Sequence, residues 1–328
     1  MEPITAKAAD ILGFLQPDEV VRALDGRLGR VHARQRLGIE DEHETQAFGQ
    51  GLTFVHLENI PLSRAILHVL LRISGIYWRG VENARKIELR RNVISSSRID
   101  PAFDGFAILH LSDLHADMSA RAMRRVAEIA SGLSYDLCVL TGDYRGETFG
   151  PYVSCVRELG ELRDALKGDI FAVLGNHDSI RMVPDLERMG VKFLLNENVA
   201  LARGDARIYL AGVDDAHFYR VDNIEKATTG IPDDGYSILL SHTPEIYRQA
   251  AHAGFDLMLS GHTHGGQICL PGGIPVTLES NLPRRMGRGP WRYGEMAGYT
   301  SAGAGSCIVP VRFNCPPEMT LHVLRTSA

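Results

Sequence analysis

Two histidines, His262 and His264, stand one residue apart in the stretch LSGHTHGGQI, between glycines and directly after the apolar run FDLML. In extended backbone, residues i and i+2 point to the same side. The spacing therefore predicts two imidazoles presented together, with the glycines leaving room for close approach. That arrangement suits a metal ion; a plain Gly-rich turn is the alternative. Similar residues recur along the chain. Asp113 and His115 follow FAILHL, Asp143 follows LCVLT, Asn176, His177 and Asp178 follow IFAVL, and His242 follows SILLS. Asp, Asn and Gly are common turn formers, but five apolar runs each ending in Asp, Asn or His are more than turns explain. Carboxylate, imidazole and amide donors without thiolates suit borderline divalent ions such as manganese, iron or zinc. Seven candidate donors, Asp113, His115, Asp143, Asn176, His242, His262 and His264, are too many for one ion. They fit two ions about 3.5–4 Å apart joined by a shared carboxylate, a pair suited to displacement at phosphorus.

The runs that carry these residues, FAILHL (106–111), LCVLT (137–141), IFAVL (170–174), IYLAGV (208–213), SILLS (237–241) and DLMLS (256–260), predict strands. Between the first two, MSARAMRRVAEIA puts Met123, Val126, Ala127 and Ala130 on one helical face, and VSCVRELGELRDALKG follows the second. This alternation predicts an α/β sheet with helices on its faces and a site outside the carboxyl ends of the strands. The closely spaced runs RIYLAGV and EMTLHVL suggest a more antiparallel second half. Near residue 90 the chain changes character, so the expected organisation is an N-terminal helical region, 1–91, and a site-bearing domain, 92–328. Within IPLSRAILHVLLRISGIYW, Leu62, Ile66, Val69, Leu70 and Ile73 recur at helical spacing, predicting a helix packed on the domain. Arg64, His68 and Arg72 form a separate stripe and, with Gly75, argue against a bilayer span. Peripheral contact with a membrane through an amphipathic face is the alternative.

Composition narrows the function classes. A chain of 328 residues with 45% hydrophobic and 23% charged residues reads as an ordinary soluble protein. Its net charge of −5 gives no basic footprint, so no nucleic-acid duplex is expected as a partner. The five cysteines are scattered without CxxC spacing, which predicts neither a disulfide framework nor a zinc knuckle. The first residues lack a signal-peptide pattern. The expected location is cytoplasmic, with peripheral contact on the inner face of the membrane left open.

Taken in order, Asp113-x-His115, Gly142-Asp143, Gly175-Asn176-His177-Asp178, His242 and Gly261-His262-x-His264 resemble the calcineurin-like binuclear metallophosphoesterases, over roughly residues 92 to 325. LSHTPE, SGHTHGGQ and VPVRFNCPPE resemble a bacterial branch of that superfamily. The resemblance implies a central β-sandwich of two mixed sheets flanked by helices, the metal site at the strand carboxyl ends and an N-terminal helical appendage outside it. It implies that Asp113, His115 and His264 hold one metal, that Asn176, His242 and His262 hold the other, and that Asp143 bridges them. His177 would be a non-ligand imidazole that steadies the phosphoryl group or protonates the leaving oxygen. The implied reaction is hydrolysis of a phosphodiester or pyrophosphate bond, in a substrate that is nucleotide- or lipid-linked, by a hydroxide held between the metals. The alternatives are a phosphomonoesterase acting on a small metabolite and a non-catalytic scaffold; scaffold relatives usually lack several donors or the histidine, all present here.

Departures from the family pattern matter as well. GDYRGETF and GNHD stand where protein Ser/Thr phosphatases carry GDxVDRG and GNHE, and no aspartate at Gly146 is available to orient the histidine. Protein phosphatase activity is therefore disfavoured. Arg145 is a candidate phosphate ligand in place of the missing arginine, with a surface arginine as the alternative. Asp178 and the pair Asp214-Asp215 are outer supports or turn residues. Arg284, Arg285 and Arg288, near Trp291 and Tyr293, form a basic loop that grips phosphate or is simply solvated.

Overall fold

The computed structural model describes residues 14–45, 61–278 and 280–327. Among the described residues four helices come first: α1 (Pro17–Leu28), α2 (Arg30–Thr45), α3 (Pro61–Ile73) and α4 (Tyr77–Ala84). The alternating part follows with β1 (Glu88–Ser96), β2 (Ala107–Leu111), α5 (Ala120–Ser131), β3 (Leu137–Thr141), α6 (Val153–Ala165), β4 (Asp169–Val173), α7 (Val183–Arg188) and β5 (Val191–Phe193). Next come β6 (Glu197–Arg203), β7 (Ala206–Gly212), α8 (Ile224–Thr228), β8 (Tyr236–Leu240), α9 (Tyr247–His252) and β9 (Leu257–Ser260). The chain ends with a short hairpin, β10 (Cys269–Leu270) and β11 (Ile274–Pro275), then β12 (Gly289–Tyr293), β13 (Met296–Thr300) and β14 (Glu318–Thr326). Every apolar run singled out in the sequence is a strand.

The strands form two six-stranded mixed sheets, β1-β14-β2-β3-β4-β5 and β12-β13-β9-β8-β7-β6. Alternate residues face opposite sides of a strand, so each sheet needs two apolar covers. Ile108, Val139, Phe171 and Val173 of the first sheet meet Ile208, Leu210, Ile238 and Leu259 of the second between the sheets. On the outer side of the first, Leu109, Leu140 and Ile170 pack on Met123 and Val126 of α5 and Val156 and Leu159 of α6. On the outer side of the second, Leu239 and Met258 meet Tyr247 and Ala250 of α9. The architecture is a β-sandwich between helical layers.

The second half is the more antiparallel one, as expected, though it is mixed. β2–β3, β3–β4 and β4–β5 all pair in parallel, whereas β6–β7, β10–β11 and β12–β13 are antiparallel and β7–β8, β8–β9 and β9–β13 parallel. The parallel pairs β7–β8 and β8–β9 arise because α8 and α9, though short, return the chain for a parallel crossover. EMTLHVL lies in β14 of the first sheet, parallel to β1 and antiparallel to β2.

The helix over 61–73 forms, but the apolar face read from spacing is partly the wrong one. Val69, Leu70 and Ile73 are 51%, 59% and 79% exposed, while Leu67 and Leu71 pack with Tyr77 and Val81 of α4 on Val309 and Val311. A helix apolar on several sides buries whichever face its neighbour offers, and periodicity does not choose between them. The side chains of Leu62, Arg64 and Ile66 lie outside the described residues. No described helix is long and apolar enough to cross a membrane.

The first two helices reach the site. Val20, Leu24 and Leu28 of α1 enter the core beside the first sheet. From α2, the fully buried Arg36 donates to Glu40 at 2.9 Å and to the Asp178 carbonyl at 3.0 Å, and its guanidinium lies 3.5 Å from the Tyr219 ring centroid. Glu40 in turn accepts from the Ser179 hydroxyl, from the Ile180 amide at 3.1 Å and from Arg181 at 2.9 Å.

Candidate metal centre

The loops after β2, β3, β4, β8 and β9 bring all seven candidate donors together. Asp113, His115, Asp143 and His264 form one group able to hold an ion, and Asp143, His242 and His262 form a second. Asn176 Oδ1 lies 3.0 Å from His242 Nε2, which places the amide at the second group. Asp143 belongs to both. Each group draws on both sheets: Asp113, His115, Asp143 and Asn176 follow strands of the first, His242, His262 and His264 strands of the second.

The backbone gives an independent signal. Ten non-glycine residues among those described have positive φ, and five of them are Asp113, His115, Asp143, His262 and His264. Left-handed backbone is unfavourable for such residues and persists where the surroundings enforce it, most often at functional sites. It also revises the geometry inferred from GHTH. At φ of 71° and 49°, His262 and His264 are not in extended backbone. They do not act as a side-by-side pair; each turns to a different donor group. Glycines allow the loops to close this tightly. A Cβ on Gly261 would overlap Ser112 Oγ and Asp113 Oδ2. Gly261→Ala is therefore expected to displace Asp113 and weaken metal binding by about 10–100-fold, the range found when a ligand's supporting contacts are lost; isothermal titration with Mn²⁺ or Zn²⁺ measures it, and unchanged affinity would contradict the packing argument.

The donor atoms are oriented for a cation. His115 Nδ1 and His242 Nδ1 each donate to a carbonyl, of Arg145 and Thr141, at 2.7 Å. A carbonyl only accepts, so the neutral form of each ring carries its lone pair on the inward-facing Nε2. His115 Nε2 and His264 Nε2 are 3.1 Å apart, and the buried His262 Nε2 has no hydrogen-bond partner. Burial pushes the Asp113 carboxyl up to about 7, with Asp143 adding to the rise. Burial alone would lower His242, but the Asp143 carboxylate 3.2 Å away raises it to about 10. A buried, carboxylate-rich pocket that draws positive charge so strongly fits divalent cations, and its O and N donors match manganese, iron or zinc.

Around the donors stand residues of several kinds. The His177 amide donates to Asp143 Oδ1 at 2.9 Å, and its ring has Nε2 4.0 Å from Asp143 Oδ2 and 3.8 Å from Cys307 Sγ. Thr148 Oγ1 lies 3.3 Å from His177 Nδ1. Arg145, considered as a phosphate ligand, is 3% exposed and donates to the carbonyls of His177, Thr148 and Gly150, the last at 2.9 Å. Its geometry is that of a loop clamp. Asp178 accepts from the amides of Asp143, Tyr144 and Gly175 at 2.7–2.8 Å, tying two site loops together, and burial raises its carboxyl to about 6. Asp214 meets His32 at 3.1 Å and Arg36 at 3.5 Å, and Asp215 accepts from the amides of Phe218 and Tyr219. Of the basic loop, Arg288 lies 3.8 Å from Glu318, and Trp291 is buried and bonded to Thr300. Besides Thr148, three contributors went unread in the sequence. Arg312 is fully buried with Nη2 3.2 Å from His264 Nδ1; Cys307 approaches His177; and His217, bonded to Glu245 at 2.8 Å, lies tilted against His262 with ring centroids 4.3 Å apart. The VPVRFNCPPE wording pointed to Arg312 only as part of a resemblance.

The calcineurin-like phosphoesterase profile matches residues 106–266. The metallophosphoesterase YkoQ of Bacillus subtilis is 29% identical over 268 residues, covering 78% of this chain and 97% of its own. YkuE of Bacillus subtilis, also named a metallophosphoesterase, is 30% identical, covering 74% of this chain and 86% of its own. The phosphodiesterase YaeI of Escherichia coli is 28% identical over 66% of this chain and 81% of its own. With this similarity and the clustered donors, the chain belongs to the calcineurin-like metallophosphoesterase family and is a phosphoesterase.

Proposed function

We propose that the chain hydrolyses phosphodiester or pyrophosphate bonds at a centre of two divalent metals, with Asp113, His115 and His264 on one, Asn176, His242 and His262 on the other, and Asp143 shared. The observation that carries this reading is the presence of Asp143 in both donor groups. When bound, such a pair lowers the pKa of water and clamps the attacking and leaving oxygens. Asp143 positions His177 through its amide, and Thr148 and Arg145 hold that histidine from behind. His177 then delivers a proton from Nε2 to the leaving oxygen. A diester or pyrophosphate is favoured over a monoester because Arg145, the arginine that follows Asp143, and the buried Arg312 are committed to carbonyls and do not meet a dianionic phosphate; the name of YaeI points the same way. With the division kept at residues 91/92, α2 of the N-terminal part braces the third motif through Arg36 and Glu40, and residues 92–328 carry the hydrolytic site. Manganese is the first ion to test, iron and zinc the others, and a cytoplasmic setting suits the five scattered cysteines.

His177→Ala separates proton transfer from metal work. The variant is expected to keep both metals and lose about 10²–10⁴-fold in kcat/KM on diesters with alkoxide leaving groups, but much less on p-nitrophenyl esters, which leave without help. Equal losses on both would show that His177 stabilises phosphoryl charge; an unaffected enzyme would remove it from the reaction.

A further inference from the structure

We propose that the α3–α4 elbow and the β10–β11 hairpin form a docking surface for an anionic lipid bilayer. Eleven large hydrophobic side chains are exposed among the described residues, and eight of them lie in these two places. On the elbow they include Ile73, 79% exposed, and Trp78, 71% exposed; on the hairpin and its exit they are Leu270, Ile274 and Val276, each more than half exposed. Both elements sit on the same stretch of chain. Gly80 of α4 is pressed against Val311 and Phe313, Ile268 bridges Phe313, and Asn314 bonds to the Cys269 carbonyl at 2.8 Å. Clustered apolar surface of this kind marks an interaction site.

Charge selects the occupant. Residues 61–86 and 268–288 contain eight arginines and lysines against two glutamates, in a chain whose net charge is −5. One of the glutamates, Glu82, pairs with Arg85 at 2.6 Å, while Arg72, Arg79, Arg284 and Arg285 are exposed. A Trp and aliphatic side chains bordered by arginines match the headgroup boundary of a membrane, and positive charge is attracted to an anionic leaflet. The surface adjoins the site: the hairpin begins just after His264-Gly265-Gly266, and Gln267 Nε2 donates to the carbonyls of Cys307 and Val309 at 2.8 and 3.0 Å. Docking would place the donor groups near lipid headgroups, which makes a lipid-borne phosphoester the substrate class. That last step rests on the phosphoesterase reading; the docking itself does not.

The test is cosedimentation of the full chain with phosphatidylcholine vesicles, with and without one third phosphatidylglycerol, at low and high salt. The expected result is binding to the anionic vesicles that salt weakens, with a blue shift of tryptophan emission from Trp78, since Trp291 is already buried. Ile73→Ser/Trp78→Ser, Leu270→Ser/Ile274→Ser and Arg72→Glu/Arg79→Glu should each weaken partitioning by about tenfold or more and leave hydrolysis of a water-soluble bis-aryl phosphate unchanged, which verifies folding. Absence of wild-type binding to anionic vesicles, binding indifferent to all three pairs, or self-association through this face in place of vesicle binding would overturn the proposal. Asp143→Asn keeps the surface intact, so an inactive protein that still sediments with vesicles separates failure of the hydrolytic reading from failure of docking.

Discussion

Asp143→Asn is expected to reduce bound metal from two ions per chain to one or none and to lower kcat/KM by more than a hundredfold. Loss of a mere supporting partner of a ligand costs about 10–100-fold, and Asp143 is itself a donor in both groups. Its amide replacement keeps the shape and an acceptor oxygen for the His177 amide but lacks the charge. Elemental analysis after reconstitution, with circular dichroism to verify the fold, decides the matter. Full activity in chelator-treated wild-type protein, or a wild-type metal count near zero, would sink the two-metal reading.

The second large effect lies far from the donors in sequence. Arg36→Met should destabilise the protein by about 3–5 kcal/mol, because removing one member of a buried charge cluster strands the others. Glu40 and Asp214, both buried, would lose their shared cation, and the Asp178 carbonyl its donor. The melting temperature should fall on the order of 10 °C, whereas Val31→Ser at an 80% exposed position of the same helix should change little. Because Asp178 ties the Asp143 and Gly175 loops together, activity should decline well below the melting point. Calorimetry that finds Arg36→Met as stable as wild type would show α2 to be an ornament on the site.

Much of this was legible in the sequence because strands and donors announce themselves locally. FAILHL, LCVLT, IFAVL, SILLS and DLMLS became β2, β3, β4, β8 and β9, each followed by its Asp, Asn or His. What stayed hidden depends on tertiary context. Thr148, Cys307 and His217 reach the centre from irregular segments, where no periodicity marks a residue as facing anything. Arg145 looked like a phosphate ligand because an arginine beside a metal motif usually has an anion to meet; the carbonyls that occupy it are supplied by backbone folding invisible in residue types. For α3, sequence spacing identified a helix but could not say which side its neighbour would cover. The two histidines of GHTH were read as an extended pair because only the folded backbone reveals their left-handed turn.

The donors sit where the two sheets meet, so metals bound as proposed would be fasteners as well as reagents. Each group is built from side chains of both sheets, so pulling the sheets apart at this end means giving up the ions. Anything that binds only the folded state stabilises it in proportion to the logarithm of its free concentration; an ion at a hundred times its dissociation constant contributes about 2.7 kcal/mol. On the two-metal reading, this end of the sandwich would thus be held closed by the supply of cations. Scarcity would act on the amount of protein as well as its turnover, since chains lacking ions open more often and meet proteases more often. Limited proteolysis with and without a chelator would display this as early cuts in the loops after β3 and β9.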